Sequence, residues 1–246
     1  MILLVDIGNS RLKWAIADAD VIHHTEFVDY RAADFIELLR QIWSGIDRPR
    51  QLAIATVAGQ QVAAAIVQLA KQLWPAIEII VPLAEAQAFG VINAYCRPEK
   101  LGVDRWLALL AAHRYYPGCS CIVDCGTAIT IDFIEADGRH LGGLISSGLL
   151  LMKKALAQNT AALPFSEKQS ATSLATATEA AIDNGTLLAA VGMVEAVLRR
   201  QSKPYRLILS GGDAERVAGQ LAVPSIVDSQ LVFKGLLNYC RNENAS

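Results

Sequence analysis

The stretch MILLVDIGNSRLKWAIAD opens the chain, and CIVDCGTAITIDFIEADG later restates its pattern. With Asp6 laid on Asp124, Gly8 falls on Gly126 and Ile16 on Ile134. Each copy has an apolar run, an Asp, a Gly two residues on, small polar residues, and a second run rich in apolar residues. A repeat at this distance predicts two halves of similar build.

The elements that follow each copy agree. ILLVDIG, LKWAIAD and VIHHTEFVD read as three strands with tight polar breaks, and CSCIVDCG, AITIDFIEADG and HLGGLI repeat the series. Helical spacing appears in AADFIELLRQIW, QQVAAAIVQLAKQLW and LGVDRWLALLAAHRYY, with QLAIATVA and EIIVP as strands. The second half adds helices from about residue 148 to 159 and from about 178 to 200. The strand YRLILSGG and the final helix SQLVFKGLLNYC follow. Thr160–Ser173 has no period and reads as a mobile connection. Strand–helix alternation predicts α/β architecture, each half a mixed sheet opened by hairpins and flanked by helices. Pro117-Gly118 is a turn pair that places the boundary between domains at 1–117 and 118–246.

Composition removes several functional classes. A hydrophobic fraction of 53% supplies a sizeable core. A net charge of −2, with Lys and Arg spread along the chain, gives no footprint for nucleic acid or an anionic membrane. No apolar run reaches the roughly 18 residues of a membrane span, and Asp6 breaks the N-terminal run. The expected address is the cytoplasm. Five cysteines, an odd number, argue against a disulfide framework. Cys119, Cys121 and Cys125 cluster, but no fourth soft ligand lies nearby, so they read as strand residues rather than a zinc site.

The repeated turn has the chemistry of a phosphate hook. Gly8 lets the backbone turn without a Cβ, so that backbone N–H groups and the Ser10 hydroxyl can point at an anion, with Lys13 adding positive charge. Asp6 can hold magnesium through water. Asp124, Gly126, Thr127 and Thr130 offer the same tools. Two such hairpins facing across a cleft can clamp a polyphosphate. A late LSGGDAERV adds paired glycines, Gly211 and Gly212, for close approach to a flat ligand, or a plain turn capped by Asp213. In YCRPEKLGVDRW, Asp104 and Arg105 begin a strongly apolar helix whose N-terminus carries positive potential. Spacing leaves Asp104 as a helix cap or a proton acceptor, and Arg105 as a solvated charge or a fork for a carboxylate.

The paired D-x-G-[NT] hairpins and the late glycine pair resemble the actin, hexokinase and Hsp70 superfamily. More narrowly, DIGNSRLKWA, LGVDRWLALLAA, VDCGTAITID, GGLISSGL, TEAAIDNG and SGGDA resemble the type III pantothenate kinases, in the family's order. Ser10 stands where Thr is common, and Ser147 where Pro is frequent. The resemblance implies two actin-like (ribonuclease H-like) domains. It also implies ATP-dependent phosphorylation of pantothenate to 4'-phosphopantothenate, the first step toward coenzyme A. It gives Asp104 the role of general base, with Tyr95, Gly102, Val103, Asp104, Arg105 and Thr178 lining the pantothenate site. Thr178 would reach it from the partner subunit of a homodimer, or simply cap its helix. Asp6, Ile7, Gly8, Asn9, Ser10, Arg11, Leu12, Lys13 and Thr127 would bind ATP with Mg2+, and Asp124 a monovalent cation, K+ or NH4+. Two rivals are another actin-like small-molecule kinase and a non-catalytic ATP-binding regulator.

Overall fold

In the computed structural model, which describes residues 1–19, 21–32, 34–170 and 174–242, each copy of the repeat is the leading hairpin of a five-stranded sheet. The chain divides into two units. One is Met1–Tyr116 together with the segment from Gln230, and the other is Pro117–Ser229.

In the first unit β1 (Ile2–Ile7), β2 (Leu12–Asp18) and β3 (Val21–Val28) form an antiparallel meander. After α1 (Phe35–Trp43), β4 (Gln51–Thr56) joins β1 in parallel; after α2 (Gln60–Leu73), β5 (Glu78–Ile80) joins β4. The order is β3-β2-β1-β4-β5. Leu3, Val5, Ile7, Leu52 and Ile54 pack with Leu39, Trp43, Ile66 and Leu69. A two-stranded hairpin, β6 (Gln87–Ala88) with β7 (Val91–Ile92), precedes α3 (Val103–Tyr115). The sheet is covered on a second side as well, which is why β1 reads as an unbroken apolar run rather than an alternating one.

The second unit repeats the plan. β8 (Ser120–Cys125), β9 (Ala128–Ile134) and β10 (His140–Ser147) form the meander. β11 (Arg206–Ser210) and β12 (Ser225–Val227) extend it in parallel, in the order β10-β9-β8-β11-β12. Helices α4 (Leu149–Asn159), α5 (Thr178–Arg199) and α6 (Ala214–Ala218) lie between them in sequence. α5 is long and apolar enough to cross a membrane, but Leu187, Ala190, Val191, Val194 and Val197 place it in the core of this unit. Its composition is that of a core helix.

Two expectations change. The final helix, α7 (Leu231–Asn242), groups with the first unit instead of completing the second half. Leu231, Phe233, Leu236, Leu237 and Cys240 are buried, and α7 packs on α3, β1 and β4. Gly235 permits the approach to α3, since a Cβ there would stand 2.3 Å from the Leu107 carbonyl oxygen. The segment read as a mobile connection has no regular structure where it is described, yet it is tied down. Lys153 Nζ donates to the Lys168 carbonyl at 3.3 Å, and the Ser170 N–H donates to Asp183 Oδ2 at 2.7 Å. Residues 171–173 of that segment lie outside the described residues.

Candidate active site

The first hairpin sets Asp6 directly opposite Lys13. Opposed residues of an antiparallel pair share a sheet face, so carboxylate and ammonium flank the same turn. The Gly8 N–H donates to the Arg11 carbonyl at 3.1 Å and closes it. In the second hairpin Asp124 faces Thr130, and the Gly126 N–H donates to the Ala128 carbonyl at 3.0 Å. The second turn spans 126–128 where the first spans 8–11. The two copies run in step as text but not in pairing. The place opposite the first-strand Asp is held by Lys13 in one unit and by Thr130 in the other, not by Ile131 as the text would align it.

The G-x-D-R segment sits beside the first hairpin's strand ends. The Val57 N–H donates to the Ile7 carbonyl at 3.1 Å, just past the end of β4. A Cβ on Gly102, the residue capping α3, would come within 4.0 Å of Val57 Cγ1 and 2.6 Å of Asp104 Oδ1. Only glycine leaves the Asp104 carboxylate where it is. Asp104 Oδ1 accepts the Arg105 N–H at 2.7 Å, so the carboxylate takes one of the first-turn N–H groups although Gly102 holds the cap position. The site therefore lies at the carboxyl ends of parallel strands and a helix N-terminus, the usual place for ligands in such sheets.

Arg105 is not a solvated charge. It is 6% exposed, and its guanidinium donates to the Tyr95 hydroxyl at 2.8 Å. Tyr95 is set by Asn93, whose Oδ1 accepts the Tyr95 N–H at 3.0 Å and whose Nδ2 donates to the Glu85 carbonyl at 3.0 Å. Asn93 is buried, and no spacing in the sequence pointed to it. Its only signal in the sequence is its place two residues before Tyr95.

In the second unit two glycines approach one oxygen of the half-buried Asp124. A Cβ on Gly126 would lie 3.1 Å from Asp124 Oδ1, and one on Gly211 would lie 2.7 Å from it. Gly211 has φ +92°, and the Asp213 N–H donates to the Cys125 carbonyl at 3.0 Å, folding the late glycine pair onto the hairpin. Gly148 closes the other side: its N–H donates to the Thr127 carbonyl at 2.9 Å, and a Cβ would strike the Gly126 carbonyl oxygen at 2.1 Å. Burial, with the charges of Asp124 and Asp213, pushes the Cys125 thiol up to about 12. That thiol is a packing group, and burial with Asp132 does the same for Cys121. All five cysteines are free, and no cluster of three or more metal-binding side chains occurs among the described residues. Thr178 is the first residue of α5, and Ala177 occupies the cap position expected of it. It lines a cleft of about 670 Å³ with Ser147, Met152 and Ile182.

Comparison with known proteins shows the family of the chain. Residues 2–200 match the type III pantothenate kinase family. A type III pantothenate kinase of Nitrosococcus oceani is 37% identical over 253 residues, covering 98% of this chain and 94% of that protein. One of Burkholderia thailandensis is 38% identical over 252 residues and covers 95% of each. Among solved structures, a Campylobacter jejuni protein assigned to the Baf family of transcriptional activators superposes with a TM-score of 0.65 at 20% identity, over 99% of this chain and 100% of that one. The ADPNP-bound activator of 2-hydroxyisocaproyl-CoA dehydratase from Clostridium difficile gives 0.58 at 13% identity, over 99% and 96%. These last two share the fold.

Proposed function

We propose a division of labour for the residues of this chain, which belongs to the type III pantothenate kinase family. The chain is a kinase that phosphorylates pantothenate with ATP and a divalent metal, in coenzyme A synthesis.

In phosphoryl transfer the protein chiefly positions groups and neutralises charge. Asp104 takes the proton of the attacking hydroxyl. Its support is the glycine that leaves room for the carboxylate and the helix N-terminus on which it stands. Arg105, held by Tyr95, grips the pantothenate carboxylate as a fork. Gly102 and Val103 complete that wall. The turn from Asp6 through Ile7, Gly8, Asn9, Ser10, Arg11 and Leu12 to Lys13 receives the phosphates of ATP, with Thr127 as a further contact. Asp6, a hard oxygen donor, would help to hold the magnesium, which when bound would neutralise charge on the phosphates.

Asp124 holds a potassium or ammonium ion. The support is a carboxylate that two glycines let the backbone approach closely, with the negative charge of Asp213 nearby. Thr178 contacts pantothenate bound to the partner of a homodimer. The exposed Leu150, Leu151, Leu156 and Leu188 of α4 and α5 support the dimer, since they carry apolar surface that one subunit leaves open.

The hydrogen bond from buried Arg105 to the half-buried Tyr95, beside Asp104, is the observation that carries this reading. Coupled ADP release with and without pantothenate tests it, in potassium and in sodium at equal ionic strength. Release that needs pantothenate and is faster in potassium is expected. No release with or without pantothenate would favour a non-catalytic ATP-binding role, and release driven by sugars a different kinase.

A further inference from the structure

We propose that Arg31 is a positioning residue for the first phosphate hairpin, an inference that rests on reading residues 6–13 as the ATP turn. Arg31 lies just after β3, and its Nη2 donates to the Asn9 carbonyl at 3.0 Å across 22 residues of sequence. Its own backbone is locally fixed, since the Arg31 N–H donates to Asp29 Oδ1 at 3.0 Å and the Ala32 N–H to the Asp29 carbonyl at 3.3 Å.

The consequence follows from the planarity of a trans peptide. The Asn9 carbonyl and the Ser10 N–H belong to one rigid unit and point in opposite directions. Holding the carbonyl toward Arg31 turns the Ser10 N–H away from it. An exposed turn that follows a glycine is otherwise free to rotate this peptide, and a rotated peptide presents an oxygen where a phosphate needs a donor. Arg11 reinforces the same flank, its guanidinium lying 4.7 Å from the centre of the Phe27 ring on β3. Both arginines tie the turn to β3, and Arg31 is the one that grips its backbone.

Arg31 also brings a permanent positive charge to within one hydrogen bond of the turn. The carbonyl it holds spends one donor of five, so the guanidinium contributes to the field that a triphosphate meets. A positioning role predicts an effect that scales with the phosphates. A mere staple between loop and hairpin predicts a loss of stability shared by every ligand.

The test is calorimetric binding to the full-length protein of ADPNP with magnesium, and separately of adenosine. Wild type is compared with Arg31→Ala, Arg31→Lys and, as a control on the turn itself, Lys13→Ala; melting temperature and the KM for pantothenate are followed throughout. Arg31→Ala is expected to weaken ADPNP about tenfold, the scale of one charged hydrogen bond. Adenosine affinity and the pantothenate KM should stay unchanged, and Arg31→Lys should recover most of the loss. ADPNP affinity within about twofold of wild type in Arg31→Ala overturns the proposal, as does an equal loss for ADPNP and adenosine. If Arg31→Ala fails to fold, Arg31→Met, which keeps the apolar stem and drops the donor to the Asn9 carbonyl, is judged by the same two outcomes. If Lys13→Ala also leaves ADPNP affinity unchanged, the assignment of the hairpin to ATP falls, and this inference with it.

Discussion

The Arg105 guanidinium donates to the Tyr95 hydroxyl at 2.8 Å, and the two come from opposite sides of the Pro98–Lys100 turn. One is buried on the first turn of α3; the other sits on a loop held by Asn93. A fork meant for a carboxylate needs its plane fixed before the ligand arrives, because an ordered side chain loses less entropy on binding. Tyr95→Phe removes the acceptor and keeps the ring. The expected result is a pantothenate KM raised about tenfold, the worth of a hydrogen bond to a charged group. The KM for ATP should not change. Steady-state kinetics in both substrates checks the split.

Gly211 makes a second prediction. Its φ of +92° disfavours any side chain, and a Cβ would stand 2.5 Å from the Cys125 carbonyl carbon and oxygen. Gly211→Ala therefore pays for strain and for displacing β8 backbone beside Asp124. A loss of at least about 2 kcal/mol is expected, seen as a melting temperature several degrees lower. Gly212→Ala is the control, since nothing lies within 4 Å of its Cβ position. Equal behaviour of the two variants would contradict the packing described.

Much of this fold is legible in the sequence because the repeat writes the same hairpin twice, and the two sheets do share one strand order. What is not legible has identifiable causes. β12 is three residues on a sheet edge, and the β6–β7 hairpin is two residues a side, too short for any period. The one-residue difference between the turns at Gly8 and Gly126 is invisible because both strands stay apolar on either side of it. α7 carries no mark of which half it belongs to; burial is shared by chain segments far apart. Spacing left the roles of Asp104 and Arg105 open and the family resemblance proposed them, whereas Asn93 and Arg31 bond to backbone carbonyls or N–H groups that any sequence supplies.

Asp183 on α5 ties three elements and one loop. Its carboxylate pairs with Lys153 of α4, accepts Arg216 Nη2 of α6 at 2.5 Å and accepts the Ser170 N–H at 2.7 Å, while being 1% exposed. Burial alone would raise its pKa; the hydrogen bonds from Lys153, Arg216 and Ser170 outweigh that and hold it below the usual carboxylate range. A lowered folded value means the stabilisation is complete above the unfolded value of about 3.9 and is lost as pH falls from there through the folded value. Asp183→Asn leaves two cations around a neutral amide in the interior, at a cost of about 3–5 kcal/mol at neutral pH. Melting temperatures from pH 7 down to about 3 test both parts. The gap between wild type and variant should be wide at pH 7 and should start to close only as pH falls below about 4. A gap that does not depend on pH would mean that the charge on Asp183 is not what holds these elements.

Asp104→Asn separates chemistry from architecture. Asn keeps an oxygen that can accept the Arg105 N–H, now 2.7 Å from Asp104 Oδ1, and it is as good a residue as Asp near a helix start. It also keeps the shape that Gly102 accommodates, so folding should be nearly unchanged. What it loses is a carboxylate that can take a proton at neutral pH. Removal of a general base costs about 10²–10⁴ in rate. Phosphate contacts assigned to the 6–13 turn are untouched, so ATP-analogue affinity should persist. Turnover, melting temperature and analogue affinity measured on this one variant give three independent readings. Turnover at least about a hundredfold lower, with the other two close to wild type, is the expected pattern. A shifted melting temperature with turnover within a few-fold of wild type would make Asp104 a structural anchor of α3, and the proton would have to leave by another route.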